Sequence, residues 1–371
     1  MGDRGLAANN QAGNPWWTIV SPLLAAALVL IYFLAGLPMH PLVVTLEVGL
    51  LAFAVFSAVH HAEVVGARVG EPFGSIILAI AVTVIEVGLI VALMRAANNG
   101  GPTIARDTVY SAVMLVLTGL IGLCLVLGGH KHFEQKIRVS GTSSYLAVLG
   151  TLATIALILP NFTTTTAGPT YSSAQLAAAA FVSLMLYGAF LFIQTVRHRD
   201  YFLAATDDSD AANEEFNPPS RSHAITSLVL LVVSLAGVIL LAKMLAPRLD
   251  DLIDLGGLPH EFTGVIIAAL VLAPESIAAV RASLSNRPQT SINLALGSAL
   301  ASIALTIPII TLLAAFTDVQ LALGVPPPKM TLLGLAMFVS VITLLPGRTT
   351  VLHGFVHLSI FIMFIVIAAV P

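Results

Sequence analysis

Eleven apolar runs, most of them close to the ~20 residues a helix needs to cross a bilayer, follow one another with only short polar or Pro/Gly breaks. They lie at about residues 18–36, 41–62, 73–94, 107–128, 144–160, 173–196, 224–246, 262–283, 290–316, 330–346 and 351–370. Of 371 residues, 57% are hydrophobic and 9% are charged, whereas a soluble domain carries about a quarter charged residues. The expected fold is therefore an all-α polytopic membrane protein, a single bundle with the lipid bilayer as its surroundings. The net charge of −3 gives no sign of nucleic-acid binding. Cys124 is the only cysteine, so no intrachain disulfide can form, and its apolar helical setting predicts packing. The run 18–36 is too long for a signal peptide and lacks a clear small-residue cleavage site, so it is expected to be an uncleaved first span behind a tail, 1–17. Leu6 stands where a myristoylation signal needs Ser or Thr.

Lysine and arginine set the orientation, because cytoplasmic connections are enriched in them. With the N-terminus inside, the cytoplasmic segments hold Arg4, Arg68, Lys131, Lys136, Arg138, Arg197, Arg199, Arg221, Arg281, Arg287 and Arg348. The other side holds Arg95, Arg106, Lys243, Arg248 and Lys329. Outer acids (Asp107, Asp250, Asp251, Asp254, Glu261, Asp318) read equally as solvated surface or as a vestibule that attracts cations. The longest hydrophilic connection, 197–223, is expected in the cytoplasm. Its acids Asp207, Asp208, Asp210, Glu214 and Glu215 suit either a solvated linker or a cation sensor.

Two landmarks recur at nearly one spacing. TVIEVG around Glu86 and LAPESI around Glu275 place their glutamates 189 residues apart, and LILPN and TLLPG place Pro160 and Pro346 186 apart. Spans two to six (37–196) and seven to eleven (224–371) thus read as copies, with one extra helix in front. Five is odd, so the second copy enters the membrane upside down relative to the first, which is the inverted-repeat plan of many secondary transporters.

At 1.5 Å rise per residue, Glu86 and Glu275 each fall within roughly 5 Å of the membrane centre. A lone ionised carboxylate at that depth costs at least about 2.5–3.5 kcal/mol, which points to function. Copies related in this way should bring the two carboxylates to face one another across a central cavity. Burial and mutual repulsion disfavour both being ionised together, so they would take up and release protons as a coupled unit. Protons neutralise the pair; so does a divalent cation, or a sodium ion with one proton left. If only neutralised forms reorient, cation and proton movement become obligatory antiport.

A hard cation wants about six to eight oxygens, more than two carboxylates supply. Pro274 deprives the Leu270 carbonyl of its helical donor, leaving either a metal ligand or a simple kink. Thr83 offers a hydroxyl one turn before Glu86. In NLALGSALASIAL, Asn293, Ser298 and Ser302 offer polar groups, while its small residues suit close helix packing alone. His60, His61 and Glu63 could pass protons toward the centre or simply be solvated at the interface. Glu47 reads as a brace, a vestibule residue or a relay. His353 and His357, four apart, could be imagined with His60, His61 and Glu63 as a zinc site of an intramembrane metalloenzyme, but Gly354 stands where the zincin pattern has Glu. Asn161-Phe162-Thr163 matches a glycosylation sequon of the kind that arises by chance.

The stretches HHAEVVGARVGEPFGSIILAIAVTVIEVGLIVALM, GPTIARDTVYSAVM, FTGVIIAALVLAPESIAAVRASLSN and SINLALGSALASIALTIPI closely resemble the bacterial ChaA-type calcium/sodium(potassium):proton antiporters, in the calcium/proton exchanger branch of the cation/calcium exchanger superfamily. The resemblance covers nearly the whole chain. It implies a bacterial inner-membrane antiporter, not an enzyme, that expels Ca2+ or Na+, with K+ a further candidate, in exchange for H+. It also implies no cofactor, room for a homo-oligomer, and Glu86 and Glu275 at the cation-binding glutamates. A sodium-coupled calcium exchanger is the alternative. The chain departs from the family's GNxxE pattern, with Val82-Thr83 and Val271-Leu272 in place of Gly-Asn. GSATQ becomes Gly297-Ser298-Ala299-Leu300-Ala301, and Val116 stands where an asparagine is common. With fewer amides, such a site must rely on carbonyls, hydroxyls or water, which makes room for monovalent ions.

Overall fold

A computed structural model describes residues 14–36, 40–70, 73–96, 101–202, 219–317 and 321–371. It contains eleven helices long and apolar enough to cross a membrane. These are α1 (Trp16–Ala35), α2 (Pro41–Val69), α3 (Phe73–Ala96), α4 (Gly101–His132), α5 (Val139–Phe162), α6 (Ser173–Arg197), α7 (Arg221–Leu255), α8 (Phe262–Leu284), α9 (Pro288–Thr317), α10 (Pro327–Leu344) and α11 (Val351–Ala369). All eleven expected spans are present, but their ends differ. α4 begins six residues before the expected 107 and α7 continues through Pro247 to Leu255, so charged residues expected in connections lie within helices. The acidic residues 207–215 lie outside the described residues.

The chain forms two compact units, Met1–Ala92 with Thr206–Arg248, and Leu93–Ala205 with Leu249–Pro371. In the first, helix ends and breaks determine the ties. Pro22, inside α1, has no N–H to give the Thr18 carbonyl. That carbonyl instead accepts from Ser57 Oγ at 2.7 Å and from His61 Nε2 at 3.0 Å, both on α2. Ser57 Oγ is in turn 3.3 Å from Ser234 Oγ on α7. A buried carbonyl without a donor in an apolar medium would cost several kcal/mol, so the α1 proline itself creates the need for these α2 groups. Further along, Gly88 admits α7 to α3, since a Cβ there would stand 2.6 Å from the Ile239 side chain.

The second unit contains two connection pairings that mirror each other. β1 (Glu134–Lys136), between α4 and α5, pairs antiparallel with β2 (Arg348–Thr350), between α10 and α11, with Gln135 opposite Thr349. Thr170, between α5 and α6, bridges Ala322, between α9 and α10, and Gly324 N–H donates to the Pro169 carbonyl at 3.0 Å. Matching spans two to six with seven to eleven exchanges these two pairings, as an inverted repeat requires.

Small residues set the closest helix crossings of this unit. A Cβ on Gly264 of α8 would lie 2.6 Å from the Asp107 carbonyl carbon of α4, and one on Gly354 of α11 would lie 2.6 Å from the Val126 nitrogen of α4. α4 also changes pitch, with a π-helical turn at Leu115–Leu120. Gly264→Val should therefore lower the thermal unfolding midpoint of the purified protein, consistent with an overpacking penalty of about 1–3 kcal/mol. Gly334→Ala, where nothing lies within 4 Å, should change it little; equal midpoints for both variants would contradict the crossing.

Candidate functional site

Glu86 lies on α3 in the first unit and is 2% exposed, among buried Ile85, Val87, Leu89 and Ile90. Thr83 is also buried and its hydroxyl donates to the Ala79 carbonyl at 2.7 Å. The proton of that hydroxyl is committed, while its oxygen keeps a lone pair that can face a cation.

Glu275 lies on α8 in the second unit and is half-buried. Pro274 sits inside α8, which continues on both sides of it, so the freed Leu270 carbonyl belongs to an otherwise regular helix. At helical spacing Glu275 shares a stripe with the buried Ala268, Val271 and Ala279, which is the packed side of α8.

On α9, Ser302 is buried, and the Ser298 hydroxyl is enclosed without a hydrogen-bond partner among the described residues. Asn293 has a different role. Its amide donates to the Phe202 carbonyl at 2.6 Å and accepts from Gln289 Nε2 at 2.8 Å, and Gln289 Oε1 accepts from the Arg138 N–H at 2.6 Å. This strap fastens the segment after α6, and it occupies the groups expected to help a cation.

The relay candidates on α2 are not brought into one chain. Glu47 is fully buried and receives a hydrogen bond from Arg248 Nη1 of α7, also buried, in an ion pair. The brace reading of Glu47 is the one this contact fits. His60 and His61 lie 13 and 14 residues further on, about 20 Å along the helix. His61 must carry its proton on Nε2, because a carbonyl such as Thr18 only accepts. The His60 ring packs against Trp17 at 6.1 Å and His61 at 5.4 Å, while Glu63 points to the exterior of the protein.

The His357 ring is not available to the zinc-site alternative. His357 Nδ1 donates to the Leu117 carbonyl at 2.6 Å, within the π-helical turn, and Nε2 meets Thr343 Oγ1 at 2.8 Å, so both ring nitrogens are occupied. His353 caps α11 through the Thr350 N–H. Among the described residues no three His, Cys, Asp or Glu side chains cluster as metal ligands.

One charged cluster was not anticipated. Arg106 and Asp107 of α4, Glu261 before α8 and Lys329 of α10 form a closed set of two acids and two bases. Asp107 lies 2.9 Å from Arg106 and 3.3 Å from Lys329, Arg106 lies 3.3 Å from Glu261, and Lys329 also contacts Glu261. Arg106, Asp107 and Lys329 are buried, with Lys329 above the Tyr110 ring. Asp107 and Glu261, read from the sequence as either solvated surface or vestibule, are thus tied into a network with two bases. The detectable signal was a balanced set of two acids and two bases at the ends of apolar runs.

The buried ion pair of the first unit gives a direct test. Arg248→Met should destabilise the protein by on the order of 3 kcal/mol, because it leaves Glu47 buried and uncompensated. The double variant Glu47→Met/Arg248→Met should recover most of that loss in detergent unfolding. No recovery would refute the brace.

Comparison with known proteins fits this architecture. The sodium/calcium exchanger protein family matches residues 39–196 and 226–370, two blocks close to the repeats read from the sequence. The y4hA protein of Sinorhizobium fredii is 48% identical over 97% of this chain and 98% of its own. The sodium-potassium/proton antiporter ChaA of Escherichia coli is 37% identical over 93% of each chain. Among solved structures, native YfkE superposes with a TM-score of 0.72 at 16% identity over 95% of this chain and 100% of its own. The H+/Ca2+ exchanger CAX gives 0.68 at 15% identity over 94% and 88%. The chain belongs to the sodium/calcium exchanger family, within the cation/calcium exchanger superfamily.

Proposed function

We propose that this chain is a cation/proton antiporter that moves Ca2+ or Na+, with K+ a further candidate, out of the cytoplasm in exchange for H+, using Glu86 and Glu275 as its binding carboxylates. The observation that carries the reading is Glu86, a carboxylate almost wholly buried at mid-span in a helix otherwise suited to lipid, with a counterpart at the matching place of the second repeat. Family membership supports exchange as the activity. The names of its relatives span both ion classes: sodium-potassium/proton for the protein of Escherichia coli, and Ca(2+)/H(+) for a ChaA of Bacillus subtilis at 22% identity over 66% of this chain.

On this reading the two carboxylates exist either protonated or neutralised by the transported ion, and the empty ionised pair is too costly in lipid to change sides. The Leu270 carbonyl, the Thr83 and Ser298 oxygens and Ser302 supplement the carboxylates. The two repeats, 37–196 and 224–371, are joined by the acidic connection 197–223, with the N-terminus and that connection in the cytoplasm of a bacterial cell. Reorientation of neutral forms alone couples the two ions without a separate proton relay.

Inside-out vesicles with an acid interior test this. Adding calcium, sodium or potassium should dissipate the pH gradient, and Glu86→Gln or Glu275→Gln should abolish the response while the protein still elutes as a monodisperse peak. Normal exchange in both variants would remove the glutamates from the mechanism. Calcium movement that needs a sodium gradient while pH is clamped would instead favour a sodium-coupled calcium exchanger.

A further inference from the structure

We propose that the apolar groove between α4, α8 and α11, open along one side, binds one acyl chain of an anionic phospholipid, with Arg281 holding the headgroup. The cavity has a volume of about 700 Å³, and its walls include Leu115, Gly119, Ala273, Ser276, Leu358 and Phe361. This is within the ~300–1,000 Å³ that small-molecule sites enclose.

The space has an identifiable origin. The π-helical turn at Leu115–Leu120 widens α4 beside Gly119, and α8 presents Ala269, Ala273 and Ser276, too small to fill the gap. These α8 positions recur at helical spacing on a stripe separate from that of Ala268, Val271, Glu275 and Ala279. The cavity therefore lies on the other side of α8 from the carboxylate assigned to transport. Apolar walls of this kind do not hold water well, so hydrocarbon is the matching occupant.

Length and charge select a phospholipid. From Ala269 to Arg281 is twelve residues, about 18 Å of helix, close to one leaflet of a ~30 Å hydrocarbon core. Arg281 lines the end of the cavity and is exposed. At the same end of α8, Lys131 Nζ donates to the Leu284 carbonyl at 2.8 Å. Neither base forms an ion pair with an acid among the described residues, and nearby Glu134 is paired with Arg348 at 3.2 Å. A slot about as long as one leaflet is thick, ending beside two bases that form no ion pair among the described residues, fits a headgroup of net negative charge above an acyl tail.

Native mass spectrometry of the delipidated full-length chain, titrated separately with phosphatidylglycerol and phosphatidylcholine, tests the site. One phosphatidylglycerol per chain should be retained more strongly than phosphatidylcholine. Arg281→Gln should weaken that retention by about fivefold, the weight of one base at an anionic membrane surface, and leave phosphatidylcholine unaffected. Ala273→Phe should remove both lipids from the site, and Ala269→Leu serves the same purpose if the larger residue prevents folding. The proposal is overturned by equal phosphatidylglycerol retention in the wild type and Arg281→Gln, or by wild-type retention in a folded cavity-filled variant. It is also overturned if the chain is dimeric and filling the cavity splits the dimer, which would make a second copy the occupant.

Discussion

A polar group without a partner inside hydrocarbon costs several kcal/mol, and the contacts of this protein are organised around avoiding that cost. Two helix irregularities leave carbonyls that a neighbouring helix answers. Pro22 frees the Thr18 carbonyl, and Ser57 and His61 bind it. The π-helical turn in α4 places the Leu117 carbonyl where His357 can donate to it. The helix breaks thus act as sites of cross-linking, and the histidines that first suggest proton transfer or metal binding are partly accounted for by this task.

Charges follow the same rule. Glu47 is matched by Arg248, and Asp107 with Glu261 by Arg106 with Lys329, the residues of each set belonging to one unit. Such sets are neutral and hold helices together. Under the proposed mechanism Glu86 and Glu275 differ in kind, because the positive charge that neutralises them during transport is the ion or proton carried. The distinction between structural and transporting carboxylates is therefore whether the counter-charge can leave.

The spans were legible in the sequence because hydrocarbon thickness sets helix length, and Glu86 and Glu275 stood out as isolated acids within two of them. Helix ends were less legible. Arg106 and Lys329 lie just outside the apolar runs and read as solvated, yet α4 starts at Gly101 and α10 at Pro327, which carries both bases inside. Their partners, Asp107 and Glu261, are remote in sequence from Lys329, so only the folded chain reveals that the charges cancel. Asn293 was misleading for the opposite reason: an amide near a candidate site looks like a ligand, and only the position of the Phe202 carbonyl shows that it is a strap. The π-helical turns have no residue signature comparable to proline, and with them the cavity beside Gly119 was hidden.

Ion preference under the proposed mechanism turns on what replaced the family's amides. Val271 and Leu272, standing where Gly-Asn is usual before Glu275, are both buried and packed. Apolar side chains thus occupy the volume an asparagine would have filled with an oxygen donor. Before Glu86 the replacement is Thr83, whose hydroxyl already donates to Ala79 and can offer a cation only its oxygen. The side-chain oxygen count is lowered before Glu275, and before Glu86 an amide carbonyl is exchanged for one hydroxyl oxygen, while the carboxylate charge is unchanged. Calcium, with its need for about six to eight oxygens, would have to keep more of its water in such a site than in one with two asparagines. A monovalent ion carries half the charge to be compensated and would lose less by the missing amides, so on this mechanism the substitutions would shift the balance toward sodium or potassium.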